Sequence, residues 1–168
     1  MLFVCTGNIC RSPMAERLAE AEAKRLRIPN FTVSSAGTQA VIGHPIHRNA
    51  ERVLQNFGAD ISDFAARQLT PKIAAEADLV LTMTRTHRDA VLEIAPRQLR
   101  RTFMLTEASL LISEFNICDV KEMADFRPKL AKKRSEDVMD PIGKDLDFFA
   151  DIGGQIADLL KPILQIGI

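Results

Sequence analysis

Short apolar runs alternate along the chain with longer stretches in which apolar residues recur at helical spacing. The apolar runs predict four strands, at Leu2–Cys5, Phe31–Ser35, Asp78–Thr82 and Arg101–Leu105. The helical spacing predicts helices at Pro13–Leu26, Pro45–Phe57, 84–94 and 145–164, and a short helix that begins at Thr70-Pro71. The last long helix carries an apolar stripe made of Phe149, Ile152, Ile156, Leu159 and Ile163. Apolar strands that alternate with helices predict an α/β fold, with a four-stranded parallel sheet in a doubly wound three-layer sandwich.

One stretch, Leu110–Arg134, departs from this alternation between the fourth strand and the last helix. It combines mixed helical signals with Pro128 and the basic run Lys129–Arg134. A basic run is most often a solvated face, and the alternative is a surface that recruits an acidic protein substrate. The chain shows no internal repeat, and its length predicts a single domain over residues 1–168.

The composition narrows the classes of function. The chain has 168 residues, of which 46% are hydrophobic and 26% charged, as in a soluble globular protein. Its formal net charge is zero, so we expect neither nucleic acid nor a membrane surface as a partner. No apolar run reaches the roughly 20 residues of a membrane span, and the apolar start is too short for a signal peptide. Three cysteines do not form a disulfide framework, which favours a reducing, cytoplasmic location. With three histidines and no CxxC motif, neither a metal nor a cofactor is expected.

The stretch CTGNICRS, residues 5–12, carries the strongest chemical signal. Cys5 ends the first strand, at the edge where sheets of this kind bind ligands. Gly7 and Asn8 tolerate positive φ, so the loop can turn its N–H groups inward as an anion nest at a helix N-terminus. Arg11 can bind phosphate with a bidentate fork, and the hydroxyl of Ser12 can donate to the Cys5 thiolate. The predicted phosphate-binding residues are Thr6, Gly7, Asn8, Ile9, Cys10, Arg11 and Ser12, with Cys5 as the nucleophile.

A reaction through phosphocysteine also needs an acid for the leaving oxygen and a base for water. Asp140, in the pair Asp140-Pro141, is the preferred candidate, because the proline fixes the turn and Gly143 permits a tight loop. The rival carboxylates are Asp137, Asp145 and Asp147.

The motif VCTGNICRSPMAE resembles the low-molecular-weight protein-tyrosine phosphatases. Further landmarks follow in the same order: VSSAGT at 33–38, ARQL at 66–69, ADLVLTMT at 77–84 and DP at 140–141. The resemblance implies a flavodoxin-like fold, metal-independent hydrolysis of phosphotyrosine in proteins, and Cys5, Arg11 and Asp140 as the catalytic residues. It also implies a left-handed Asn8, a disulfide of Cys10 with Cys5 that protects the nucleophile, and an insertion at about 110–135. A monomer is expected, with a tyrosine kinase as a possible partner.

Four residues differ from those that many members of the family, or of a related branch, carry at the same places. Ile142 and Gly143 stand where many members carry substrate-slot tyrosines, so Ile9, Ile42 or a phenylalanine of the insertion must line the slot. Phe64 stands where many relatives have a histidine, which predicts altered support for the phosphate loop. Ile9 replaces the threonine of a branch that acts on phosphoarginine, and this favours phosphotyrosine.

The alternatives to a protein-tyrosine phosphatase are of three kinds. A protein-arginine phosphatase would share the scaffold. An arsenate reductase would need two more cysteines after the third strand, where the sequence reads TMTRTHRD. A cysteine phosphocarrier would not need Asp140, because hydrolysis would defeat its purpose.

Overall fold

The computed structural model describes residues 1–130 and 135–166. The strands are β1 (Leu2–Cys5), β2 (Ser34–Gly37), β3 (Val80–Thr82) and β4 (Thr102–Met104). The helices are α1 (Arg11–Leu26), α2 (Arg48–Asn56), α3 (Pro71–Ala75), α4 (Arg85–Ile94), α5 (Leu105–Phe115), α6 (Val120–Phe126) and α7 (Leu146–Ile163). Short 3₁₀ helices lie at Pro96–Gln98 and Arg127–Leu130.

The sheet is parallel throughout, with the strand order β2-β1-β3-β4. Side chains of β1 alternate between two apolar layers, as the period of a strand requires. Phe3 packs with the larger cluster and Val4 with the smaller one, which also includes Val91 of α4. The predicted four-stranded, doubly wound, flavodoxin-like sandwich is confirmed. The order reverses between β1 and β3, so the carboxyl end of β1 lies at the switch point where such sheets bind ligands.

Two predicted elements, β2 and α2, have different boundaries in the structure, each because of a tertiary contact. β2 covers Ser34–Gly37 because its register sets these residues opposite β1, with Gly37 beside Cys5. α2 begins at Arg48 because the N–H of His47 donates to the carbonyl of Ile9, which holds the preceding residues outside the helix. In α7 the predicted stripe packs against the core, with Leu159 only partly buried and Leu160 buried as well.

The residues that follow β4 form α5, α6 and a 3₁₀ helix up to Leu130, and they pack with the larger apolar cluster of the sheet. Its main anchor is Arg127, whose Nε donates to Glu107 at 2.9 Å and whose guanidinium lies 4.0 Å from the ring centroid of Phe103. Phe115 and Phe126 contact each other, with ring centroids 5.2 Å apart. Of the basic run 129–134, residues 131–134 lie outside the described part of the chain.

Candidate active site

The loop after β1 is held from outside by its carbonyl oxygens. Those of Cys5, Thr6, Gly7 and Ile9 accept hydrogen bonds from the N–H groups of residues 38, 39, 41 and 47, at 2.7–3.0 Å. In a trans peptide the N–H points opposite to the carbonyl. The N–H groups that follow these carbonyls therefore face the interior of the loop, where they form an anion-binding nest beside the N-terminus of α1.

Asn8 makes the tight bend of this loop, with a φ of 55°. Its Nδ2 donates to the hydroxyls of Ser12 and Ser35, at 2.9 and 2.7 Å, and its Oδ1 accepts from the N–H of Arg67 at 2.9 Å. Every hydrogen-bonding group of the Asn8 amide therefore has a partner, which stabilises a backbone conformation that few residues adopt. Gly7 does not have a positive φ, so the bend is at Asn8 alone.

The support beneath Asn8 continues to a partly buried carboxylate. The hydroxyl of Ser35 donates to Oε2 of Glu16 at 2.5 Å. Burial raises the pKa of Glu16, and the hydrogen bond from Ser35 opposes that shift. Phe64 takes no part in this network and instead contacts Arg17, whose guanidinium lies 5.7 Å from the ring centroid.

The thiol of Cys5 lies 3.0 Å from the hydroxyl oxygen of Ser12. Because this oxygen already accepts from Asn8, its own hydrogen is available to the sulfur when Cys5 is a thiolate. Cys5 is buried, at 2% exposure, so it relies on these donors and on the helix N-terminus rather than on bulk water.

Arg11 connects the loop to the distant Asp140. Its Nη2 lies 2.5 Å from Oδ2 of Asp140, and its Nη1 donates to the carbonyl of Val138 at 3.0 Å. The buried Nε has no partner among the described residues. A buried guanidinium with an unused donor beside an N–H nest is suited to bind the oxygens of a phosphate.

The loop that carries Asp140 is tied to neighbouring elements. The N–H of Val138 donates to the carbonyl of Met83 at 2.8 Å, and the N–H of Ile142 donates to Oδ1 of Asp140 at 3.1 Å. Gly143 has a φ of 78°, which gives the tight turn. Among the rival carboxylates, Asp137 accepts from the N–H of Arg85 and Asp145 from that of Phe148, while Asp147 is exposed in α7.

Comparison with known proteins places this site in a family. The family model for low molecular weight phosphotyrosine protein phosphatases matches residues 1–120. The chain belongs to this family. The phosphatase is 40% identical over 104 residues to the low molecular weight protein-tyrosine-phosphatase Etp of Escherichia coli, covering 62% of this chain and 67% of Etp.

Two solved structures extend the likeness to nearly the whole chain. A low molecular weight protein tyrosine phosphatase from T. tengcongensis has a TM-score of 0.79 and 30% identity, over 97% of this chain and 95% of that one. The YwlE arginine phosphatase from Geobacillus stearothermophilus has a TM-score of 0.76 and 28% identity, over 97% and 88%. The phosphatase is therefore a phosphoric monoester hydrolase whose fold is shared by members named for two different phosphoamino acids.

The rim of the site in this phosphatase is aliphatic. Ile42, Met139 and Ile142 are exposed, at 69%, 62% and 51%. Ile42 follows Val41, whose N–H binds the loop carbonyl of Gly7. Met139 and Ile142 flank the pair Asp140-Pro141, and sequence reasoning missed Met139, whose only signal is its position beside Asp140.

Sequence reasoning also missed His87. Its Nε2 lies 2.8 Å from Oγ1 of Thr6, the residue after Cys5. Burial lowers the pKa of His87 to about 4, with a contribution from the charge of Arg11, so the imidazole is neutral at pH 7. The sequence indicates this contact only weakly, through the position of His87 three residues after Thr84, which caps α4.

Cys10 is the second buried thiol of the loop. Burial raises its pKa to about 12, with contributions from Cys5 and Asp140, so it keeps its proton.

Within the described residues, no group of three or more side chains could hold a metal ion, and no helix is long and apolar enough to cross a membrane.

Proposed function

We propose that this phosphatase hydrolyses phosphotyrosine in proteins through a phosphocysteine intermediate, with Cys5, Arg11 and Asp140 as catalytic residues. The proposal rests on one observation. The Cys5–Ser12 contact at 3.0 Å and the Arg11–Asp140 contact at 2.5 Å meet at a single loop whose N–H groups face inward. The relative Etp is named a protein-tyrosine-phosphatase, which supports the same substrate.

In the first step the loop N–H groups of residues 6–12 and the guanidinium of Arg11 bind the phosphoryl oxygens. The sulfur of Cys5 attacks phosphorus, and the bond from phosphorus to the phenolic oxygen breaks. Asp140 gives its proton to that oxygen, so tyrosine leaves as a neutral phenol. Ser12 stabilises the thiolate before attack.

In the second step water attacks the phosphorus of phosphocysteine. Asp140, now a carboxylate, accepts a proton from this water. The sulfur–phosphorus bond breaks, the Cys5 thiolate returns, and inorganic phosphate is released. The loop N–H groups and Arg11 stabilise the charge on the equatorial oxygens in both steps.

Phosphoarginine is the second candidate, favoured by the similarity to the YwlE arginine phosphatase. Ile9 argues against it. Its side chain is half-buried in the loop, packs against the core, and offers a guanidinium no hydrogen bond. The exposed aliphatic rim at Ile42 and Met139 suits a phenyl ring better than a cation.

The deciding experiment compares kcat/KM on phosphotyrosine, phosphoarginine and phosphoserine peptides of one sequence. We expect hydrolysis of phosphotyrosine only, and Cys5→Ser should abolish it while leaving the circular dichroism spectrum unchanged. Faster hydrolysis of phosphoarginine would contradict the proposal. An arsenate reductase would instead show thioredoxin-coupled turnover, although Cys118, the one further cysteine, is exposed in the 110–135 segment.

Cys10 is proposed as a redox guard. Peroxide would oxidise the Cys5 thiolate to a sulfenic acid, and the thiol of Cys10 would then displace water to form a disulfide. Both side chains are free and buried in the same apolar cluster, which supports the pairing.

The free thiols, with an exposed Cys118, also support a reducing cytoplasmic location.

The remaining proposals concern organisation. We propose one domain over residues 1–168 with an insertion at about 110–135, since α5 and α6 pack with the same apolar cluster as β1. The proposed partners are phosphotyrosine proteins and a cognate tyrosine kinase, and the proposed state is a monomer. Sedimentation at several concentrations tests the last of these.

A further inference from the structure

A second cavity lies beside the phosphate loop, and the reaction does not use it. It has a volume of about 450 Å³, within the range of ligand-binding pockets. It lies at the end of the sheet between α4 and the segments that follow β2. Its polar lining includes Thr6, Gln39, Gln68, Thr86, His87 and Glu93, and neither Cys5 nor Asp140 lines it.

Thr6 joins this cavity to the catalytic loop. The N–H of Thr6 belongs to the nest, and its side chain lines the cavity. Because Thr6 directly follows Cys5, about 3.8 Å separate the Cα atoms of the two residues. The cavity therefore adjoins the site of the phosphate, within reach of residues that flank phosphotyrosine in a substrate.

The walls of the cavity are already fixed. Gln68 accepts from the N–H of Ala40 at 3.0 Å and donates to the carbonyl of Thr38 at 2.9 Å. His87 is 5% exposed and contacts Thr6 at 2.8 Å. A cavity whose wall side chains are held in place can receive a ligand without the entropic cost of ordering them.

The charge of the lining has one sign. Glu93 is the only lining residue that is charged at pH 7, because burial keeps the imidazole of His87 neutral. Glu93 is exposed, and it has no salt-bridge partner within residues 1–130 and 135–166. Amides, hydroxyls and a single carboxylate suit a cation that also donates hydrogen bonds, and they disfavour an anion.

We propose that this cavity receives a lysine or arginine side chain next to phosphotyrosine in the substrate, with Glu93 as its counter-charge. The proposal rests on the proposed function and adds a substrate class to it. An ion pair with an exposed carboxylate is weak, so we expect a preference of about 2–5-fold. The preference should appear in KM, because the contact is the same in the ground state and the transition state.

The test uses phosphotyrosine peptides that carry Lys, Gln or Glu at one position, one or two residues to either side of phosphotyrosine. Wild type should prefer Lys over Gln and Gln over Glu at one of these positions. Glu93→Gln should abolish the preference, and Ala90→Phe, which fills the cavity, should do the same. Glu76→Gln is the control, since Glu76 is an exposed glutamate that follows α3 and lies outside the cavity.

A small aryl phosphate separates the two proposals, because it is too short to reach the cavity. All four proteins should hydrolyse it at equal rates. Equal kcat/KM on the Lys and Glu peptides in wild type, or a preference that persists in Glu93→Gln, would overturn the subsite and leave the phosphatase reaction standing. If no phosphotyrosine peptide is hydrolysed, the proposed function and the subsite both fail.

Discussion

Replacing Asp140 tests the assignment of the general acid. In the structure one oxygen of this carboxyl contacts Arg11 at 2.5 Å and the other accepts from the N–H of Ile142 at 3.1 Å. The carboxyl is therefore positioned before substrate binds, and a positioned acid contributes about 10²–10⁴ in rate. At about 1.36 kcal/mol per decade, Asp140→Ala should remove about 2.7–5.4 kcal/mol of transition-state stabilisation for phosphotyrosine.

The dependence on the leaving group gives the sharper measurement. The phenol of tyrosine has a pKa of about 10, so its oxygen needs a proton as it leaves. A nitrophenolate leaves without one, and Asp140→Ala should slow nitrophenyl phosphate much less than phosphotyrosine. The assay is kcat on both substrates, with stopped-flow detection of the first turnover to isolate formation of phosphocysteine.

Removing Asp140 also releases Arg11 from its ion pair. The side chain of Asp140 is 49% exposed, so this pair contributes about 0–1 kcal/mol, and inorganic phosphate should bind the variant up to about 5-fold more tightly. Asp147→Asn, which removes an exposed carboxylate of α7, is the control and should change neither quantity. Full activity of Asp140→Ala on phosphotyrosine would refute the reasoning, and Asp137 would become the next candidate.

Three further predictions concern the loop, the insertion and the second thiol. Gly37→Ala would place a Cβ 2.4 Å from the carbonyl oxygen of Thr6 in the loop, so it should lower kcat/KM on an aryl phosphate at least tenfold. Gly154→Ala is the control, because a Cβ there meets open space, and it should leave kcat/KM unchanged. Arg127→Ala leaves the largely buried carboxylate of Glu107 without its partner, so it should lower the free energy of unfolding in urea by about 1–3 kcal/mol. Arg100→Ala, which removes an exposed ion pair, should lower it by about 0–1 kcal/mol, and equal losses would contradict the anchoring role of Arg127. Cys10→Ser should keep its activity but lose the ability to recover with dithiothreitol after peroxide treatment, and full recovery would exclude the guard.

The local sequence predicts the strand and the helix that carry this site better than it predicts the long-range contacts that hold them in place. The strand at Leu2–Cys5 and the helix that follows it depend on patterns within a few residues, and both are confirmed. His87 contacts Thr6 across 81 positions, and no local pattern indicates that contact. The start of α2 is a similar case, because the hydrogen bond of His47 to the loop decides where that helix begins.

Gly7 and Phe64 show the limits of reasoning from residue type. Gly7 permits a positive φ, but the loop needs only one such bend, and the amide of Asn8 is the side chain with three partners there. Phe64 lies outside this hydrogen-bond network and contacts Arg17 instead. The Oδ1 of Asn8 accepts its hydrogen bond from the main-chain N–H of Arg67, so support for the loop does not depend on residue 64.

The segment 38–47 explains how a neutral chain can hold a dianion. Four of its N–H groups bind the loop carbonyls from outside, and this keeps the negative ends of those peptide dipoles away from the phosphate. At the proposed phosphate site the attraction would thus come from oriented peptide groups and from Arg11, without an excess of basic residues elsewhere. Substrate selection is then left to the surroundings of the loop, where the aliphatic rim and the cavity beside Thr6 offer different chemistry.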